Sequence, residues 1–368
     1  MTPFFATFFL LGLSSVAATT NFNQVYEWKE LDYEWPSEAS RSKALKDKTF
    51  EPDNISPHFI AVYGSRLFLS LESYGGIPVT LVSLPTSSAS SAPPKLTPFP
   101  SWDMHGKIGD CDKIEEARGL EVDSVGRLWV LDSGSNTCKA KLWTIDLANN
   151  DQTKLIHEID INHSMHDLVL DETPNGTFAY ITRWREEHIV VFSLERNQSW
   201  FVHCTPGLRL ISIALSPKDQ EPRQLYLAKS KELYSFSVAA LHNGTRRVNP
   251  KLIGNWTGPP YRMLMDNQGT VYAAFLWKNY ASSWNSSQPL QEQRFREAAG
   301  KDSYWPFTIA LDQNGTLWMT VFDTNREKPS QRLLKAAVGA KSYMFEAPPD
   351  GSSGAEGNVA GKPPKEEY

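Results

Sequence analysis

Arg118-Gly-Leu-Glu-Val-Asp-Ser-Val-Gly-Arg-Leu-Trp-Val-Leu-Asp132 reads as two short β-strands joined by an Asp-x-x-Gly turn. Leu120 and Val122 alternate with polar neighbours, and Leu128 to Leu131 form an apolar run suited to a buried strand. Gly126 admits the positive φ of a tight turn, and the Asp123 carboxylate can accept from the turn backbone.

The hairpin recurs. Its first strand returns near Phe59, Leu120, Leu168, Ile213, Met263 and Ile309, every 45 to 61 residues. Its second strand returns as Arg66–Ser70, Leu128–Leu131, Phe178–Thr182, Leu225–Leu227, Val271–Phe275 and Leu317–Thr320. That is the period of a propeller blade. Third strands are expected at Val79 to Ser83, Lys141 to Ile145, His188 to Phe192, Glu232 to Phe236 and Lys341 to Phe345. Fourth strands are expected at Lys154 to Ile159, Ser199 to His203 and Lys251 to Asn255, and residues 278–303 show no clean alternation. The sixth unit lacks a fourth strand, and the lone strand expected at 25–31 is placed to supply it, removing the exposed edge. An all-β, six-bladed β-propeller closed by its N-terminal strand is predicted over residues 19–347. A polar connection fills the stretch to about residue 57, and a Pro/Gly/Ser-rich disordered tail is expected at 348–368.

The chain has 368 residues and a net charge of −5, which gives no electrostatic reason to expect nucleic acid or an anionic membrane as partner. Phe4 to Leu13 is apolar but shorter than the ~20 residues that span a bilayer, and Val16-Ala17-Ala18 suits signal peptidase. A signal peptide over 1–18, secretion and no later membrane anchor are expected. Sequons at Asn54, Asn162, Asn175, Asn197, Asn243, Asn255, Asn285 and Asn314 fit that route as glycosylation acceptors. Of three cysteines, Cys111 and Cys138 flank the opening hairpin and can bridge, which leaves Cys204 over.

Trp28 with Leu31, Trp35-Pro36, Gly75 to Leu81, Pro98 to Trp102, Arg127 to Gly134, Ser199-Trp200, Ser283 to Asn285, Leu317-Trp318 and Thr324 to Arg326 occur in order. With them the chain resembles the yellow/major royal jelly protein family from about residue 25 to 330. The resemblance implies a secreted six-bladed propeller. Its members include insect pigmentation proteins, some dopachrome-converting, food-jelly glycoproteins, and salivary proteins that bind biogenic amines. Two family cysteines are Val125 and Ser283 here, so the family's usual disulfide set cannot form intact and a Cys111–Cys138 bridge would be a rearranged pairing. Asn325 matches a pocket asparagine of amine-binding members, and Glu327 stands where those have an aromatic residue.

In a propeller the first strand starts, and the second ends, on one face around the central channel. That rule puts His58, Glu72, His166, Asp167, Trp184, Lys229, Tyr261, Arg262, Lys278, Trp305 and Phe307 at the channel mouth. It also puts there the expected ligand-binding set of Tyr74, Arg118, Asp132, Arg183, Trp277, Thr308, Asp323 and Asn325. Aromatic faces mixed with both signs of charge suit a small aromatic or amine ligand. The plainer reading is that these are structural ion pairs at blade ends, such as Arg118 with Asp132.

On the other face, Asp123, Asp171, Asp266 and Asp312 precede turn glycines and are read as turn caps rather than a metal ring. His163 and His166 have ligand-like spacing without a Cys/His partner motif, so no metal and no cofactor is expected. Nucleophile elbows, phosphate-binding glycine loops and HExxH are absent from the sequence. The favoured expectation is a secreted glycoprotein that binds a small ligand at the channel mouth. Alternatives are a cofactor-independent dopachrome isomerase using His166 or Asp132, a calcium-dependent lactonase-like propeller, and a ligand-free structural glycoprotein.

Overall fold

The computed structural model describes residues 20–73, 75–87, 92–107, 109–205, 207–297, 304–323 and 330–345. Among them run six antiparallel sheets of four strands each. Blade 1 is Pro57–Tyr63, Arg66–Leu71, Leu81–Pro85 and Thr97–Pro98, and blade 2 is Ala117–Val122, Arg127–Asp132, Ala140–Asp146 and Gln152–Ile159. Blade 3 comprises Met165–Thr173, Gly176–Arg183, His188–Ser193 and Gln198–His203. Blade 4 comprises Ser212–Leu215, Gln224–Lys229, Glu232–Ser237 and Lys251–Asn255. Pro260–Met265, Thr270–Phe275, Tyr280–Asn285 and Gln293–Glu297 form blade 5. Blade 6 is Tyr304–Leu311, Thr316–Asp323 and Gln331–Ala337, completed by Asn23–Trp28. The N-terminal strand thus closes the ring, with Trp28 opposite Gln331. Each inner strand packs on the next, and blade 6 returns to blade 1.

Inner strands abut closely enough to select residues. A Cβ on Gly119 would lie 2.8 Å from Leu168 Cδ2 and 2.9 Å from Leu168 N, so blade 2 can approach blade 3 only with glycine there. The opening hairpin forms as read. Asp123 Oδ1 accepts from the N–H of Val125 (3.2 Å) and Arg127 (2.8 Å), while Oδ2 accepts from Trp129 Nε1 (2.9 Å). Asp266 with Gln268, Thr270 and Tyr272, and Asp312 with Asn314, Thr316 and Trp318, repeat that arrangement. The aspartate therefore caps the turn and satisfies the polar atom of the aromatic ring packed between blades. Asp171 differs, accepting instead from Tyr180, His242 and Arg223.

Several expectations change. Blade 6 takes its third strand from Gln331–Ala337; Lys341 to Phe345 instead crosses the foot of the channel, where Tyr343 and Met344 are buried. Blade 5 has its two outer strands within the stretch that lacked alternation: Tyr280–Asn285 is largely buried on both faces, and Gln293–Glu297 is mostly exposed and polar, so neither reads as alternating. The polar connection contains a helix, Glu38–Lys46, capped by Ser37. Cys111 and Cys138 form a disulfide, and Cys204 is free and buried. The expected signal peptide and the tail at 348–368 lie outside the described residues. The sequon asparagines are all at the surface, Asn54 and Asn162 half-buried and the other six exposed.

Candidate functional site

Five of the six inner strands carry a register shift near their start, at Pro57/Phe59, Ala117/Leu120, Met165/Asp167, Pro260/Arg262 and Pro306/Thr308. A bulge sets an extra residue against the partner strand and re-aims its side chain. The residues inside those shifts include His58, Arg118, His166, Tyr261 and Phe307, and all five line one cavity at the channel mouth. Its volume is about 680 Å³, within the roughly 300–1,000 Å³ of small-molecule sites.

The walls are aromatic. Tyr261 stacks on Phe307 (centroids 4.8 Å apart), Phe307 meets Phe322 edge-on, and Trp277 meets Trp305 edge-on at 6.4 Å. Trp184 lies 4.9 Å from the His166 ring. Trp277 is 73% exposed and holds a left-handed φ of 59°; His163 and Ser164, also in the lining, have φ of 49° and 67°. Strained non-glycine backbone tends to cluster at functional sites.

The floor is polar. Arg118 donates from Nη1 to His58 Nδ1 at 2.7 Å and pairs through Nη2 with Glu116. It also reaches Glu72 at 3.5 Å, and Glu72 contacts His58 Nε2. A guanidinium only donates, so His58 Nδ1 must accept and the ring proton sits on Nε2, facing the Glu72 carboxylate. The Tyr261 hydroxyl, 2.6 Å from the same Nδ1, therefore donates to it as well. Burial holds the His58 pKa below its ordinary value despite the Glu72 hydrogen bond. Burial works to raise the Glu72 carboxyl, but His58 and Arg118 together outweigh it and the net direction is down. His166 donates from Nε2 to the Tyr261 carbonyl at 3.1 Å, and burial pushes it down to about 3. With both histidines neutral, two carboxylates face one guanidinium, and the floor keeps a net negative charge.

Of the expected ligand set, Arg118 and Trp277 line this cavity. Asp132 does not: it is fully buried beneath blade 2, where it accepts from the N–H of Glu115, Glu116 and Gly134 and pairs with Lys141 at 3.4 Å. Arg118 accordingly pairs with Glu116 and Glu72 instead of Asp132. Arg183 donates to His188 outside the cavity, and Thr308 and Asp323 are buried away from it. Tyr74 and Asn325 fall outside the described residues. His58, Glu72, His166, Tyr261 and Phe307 were placed at the mouth by strand position, but the bulges that turn His58, His166, Tyr261 and Phe307 inward leave no mark in the sequence. Glu116 was missed, and its only signal is its position two residues before Arg118.

Below the floor, Arg262 pairs with Asp167 and lies 3.7 Å from Glu121. Burial raises Asp167 to about 6 and Glu121 to about 8. Among the described residues, no group of three or more His, Cys, Asp or Glu is placed to hold a metal, and no helix is long and apolar enough to cross a membrane.

The family model described as major royal jelly protein matches residues 117–206, which are blades 2 and 3. Protein yellow of Drosophila subobscura is 28% identical over 357 residues, covering 83% of this chain and 62% of that protein. The dopaminechrome tautomerase of Drosophila melanogaster is 30% identical over 196 residues, 48% of this chain and 42% of that protein. This chain spans 61% to 64% of the length of the yellow proteins first matched. A solved luciferin-regenerating enzyme shares the fold, with a TM-score of 0.51 at 11% identity over 80% of this chain and 94% of that one. The order of motifs, the six blades and these matches agree: the chain is similar to the yellow/major royal jelly protein family.

Proposed function

We propose that this is a secreted glycoprotein that binds a small aromatic amine in the channel-mouth cavity. The observation that carries the reading is the pairing of aromatic walls (Trp184, Tyr261, Trp277, Trp305, Phe307) with a floor on which Glu72 and Glu116 outnumber Arg118. Ring faces attract both an aromatic ligand and its ammonium, and the unneutralised carboxylate charge favours a cation over an anion. The test is a thermal-shift series with dopamine, serotonin, octopamine and histamine, with catechol as the uncharged control. Binding to the native state alone raises stability by about 2.7 kcal/mol at a hundredfold excess over Kd. The reading expects a rise with aromatic amines that exceeds the rise with catechol. Equal shifts, or none, would refute it.

A second reading is tautomerisation of a cyclised catechol-quinone such as dopaminechrome. It is favoured by the Tyr261–His58–Glu72 contacts on the cavity floor and by the name of one relative. Such an isomerisation moves a proton from carbon to oxygen and is redox-neutral, so positioned acids and bases suffice for it. Faster loss of dopaminechrome absorbance with protein present would support it; an unchanged decay would exclude it.

A further inference from the structure

We infer that Tyr261 is the catalytic acid–base of this cavity and that His58 and Glu72 form the relay behind it. The inference rests on the tautomerase reading and assigns its residues. Tyr261 is brought into the cavity by the bulge between Pro260 and Arg262, and its ring is clamped between Phe307 and the His166–Trp184 pair. Its hydroxyl points at His58 Nδ1, 2.6 Å away, and the opposite nitrogen of that ring is in contact with Glu72. Phenol, imidazole and carboxylate thus stand in series, with the imidazole tautomer fixed by Arg118.

The order resembles the hydroxyl–imidazole–carboxylate logic of nucleophile activation, but a phenol in an aromatic box is suited to moving a proton rather than to forming an ester. His166 takes no part in the transfer, because its Nε2–H is committed to the Tyr261 carbonyl.

The step balances as follows. The phenolic proton moves to His58 Nδ1, giving an imidazolium held at Nε2 by the Glu72 carboxylate. Arg118 Nη1 turns its hydrogen bond from Nδ1 to the tyrosinate oxygen. The tyrosinate removes a proton from a ring carbon conjugated to the ligand's carbonyl, and the electron pair of the broken C–H bond passes to the carbonyl oxygen. Tyr261 delivers its newly acquired proton to that oxygen, and His58 then returns the stored proton to Tyr261. In each such shift one C–H bond breaks and one O–H bond forms with nothing oxidised or reduced, and two successive shifts, one from each saturated ring carbon, carry a cyclised catechol-quinone to its aromatic diol. The substrate class is a cyclic quinone or enone that aromatises on enolisation.

The test uses the full chain and the cyclised quinone of dopamine, followed by loss of its visible absorbance. Tyr261→Phe keeps the ring packing and removes only the hydroxyl. It is expected to lower kcat about a hundredfold, the usual scale of a positioned acid–base group, with KM and dopamine affinity little changed. Glu72→Gln is expected to lower kcat, leave KM little changed and shift the acid limb of the pH profile, with partial rescue by Glu72→Asp. A fall in KM alone, or full activity in Tyr261→Phe, would overturn the assignment. Wild-type protein that binds dopamine but leaves the quinone decay unchanged would overturn the relay and leave the binding reading standing. Turnover without amine binding would do the reverse.

Discussion

Asp132 accepts the backbone N–H of Glu116 at 3.0 Å, so the buried carboxylate fixes the residue whose own carboxylate faces the cavity. The same Asp132 carboxylate pairs with Lys141, whose side chain is fully buried and donates to the carbonyls of Cys111 (2.9 Å) and Lys113 (2.8 Å). The cavity edge of blade 2 is thus anchored on a desolvated ion pair.

Removing Asp132 takes away the nearer of the two buried carboxylates that balance Lys141, leaving only Glu115 at 3.7 Å. Asp132→Asn should cost about 3–5 kcal/mol, read from urea unfolding. Asp132→Asn with Lys141→Met should recover part of that loss. A single variant as stable as the parent would show that Lys141 is not held by this contact.

Trp277 and Trp129 should separate function from stability. Trp129 is fully buried with its indole N–H on Asp123, and Trp129→Ala should cost about 3–5 kcal/mol. Trp277 is 73% exposed on a left-handed backbone, so Trp277→Ala should change stability by only about 0.5 kcal/mol while weakening aromatic ligands. Denaturant midpoints alongside dopamine titrations check both halves. Unchanged ligand affinity in Trp277→Ala would remove that residue from the site.

Glu121 gives a pH signature of known sign. Its folded pKa, about 8, lies above its ordinary value of 4.5, so between those values the native state holds the proton more tightly than the unfolded chain. Its contribution is full below about pH 4.5 and is lost as pH rises through 8, at up to about 1.4 kcal/mol per pH unit. His166 works in the opposite direction: its folded value of about 3 makes its contribution present above 6.5 and lost on acidification. Subtracting the stability–pH curve of Glu121→Gln from that of the parent should leave a difference that declines from pH 4.5 to 8. A flat difference would contradict the burial of this carboxyl.

The architecture was legible because a turn chemistry repeats. Asp123, Asp266 and Asp312 each cap a turn and each hold an aromatic ring six residues on, a local pattern that needs no tertiary knowledge. Gln331–Ala337 was not legible: its two leucines and alanines carry no β-branched or aromatic residue, and it becomes a strand by pairing with Thr316–Asp323. Lys341 to Phe345 misleads in the other direction, since its apolar residues Tyr343 and Met344 are buried without forming a blade strand. At the site, strand position brought Arg118 and Trp277 correctly to the mouth but also brought Asp132, whose side chain turns into blade 2 toward Lys141. Side-chain direction at a strand end depends on bulges and neighbours that spacing does not encode.

The thiols offer a simple check on blade 2. With Cys111 and Cys138 joined and Cys204 buried, its thiol pushed up to about 12, native protein should show no rapidly reacting thiol. Unfolding without reductant should expose one thiol, and unfolding with reductant all three. Replacing Cys111 and Cys138 by alanine should cost roughly 2–4 kcal/mol by releasing the loop between them. Two or more reactive thiols on unfolding without reductant would mean that the bridge is absent.

The central claim is that the mouth cavity holds a small aromatic amine between its rings and its carboxylates. Isothermal titration of dopamine into the parent protein, Phe307→Ala and Glu116→Gln tests it most directly. The account predicts a saturable one-site isotherm for the parent, with affinity lowered at least tenfold, about 1.4 kcal/mol, in each variant. No heat from the parent, or an isotherm that both variants leave unchanged, would contradict it.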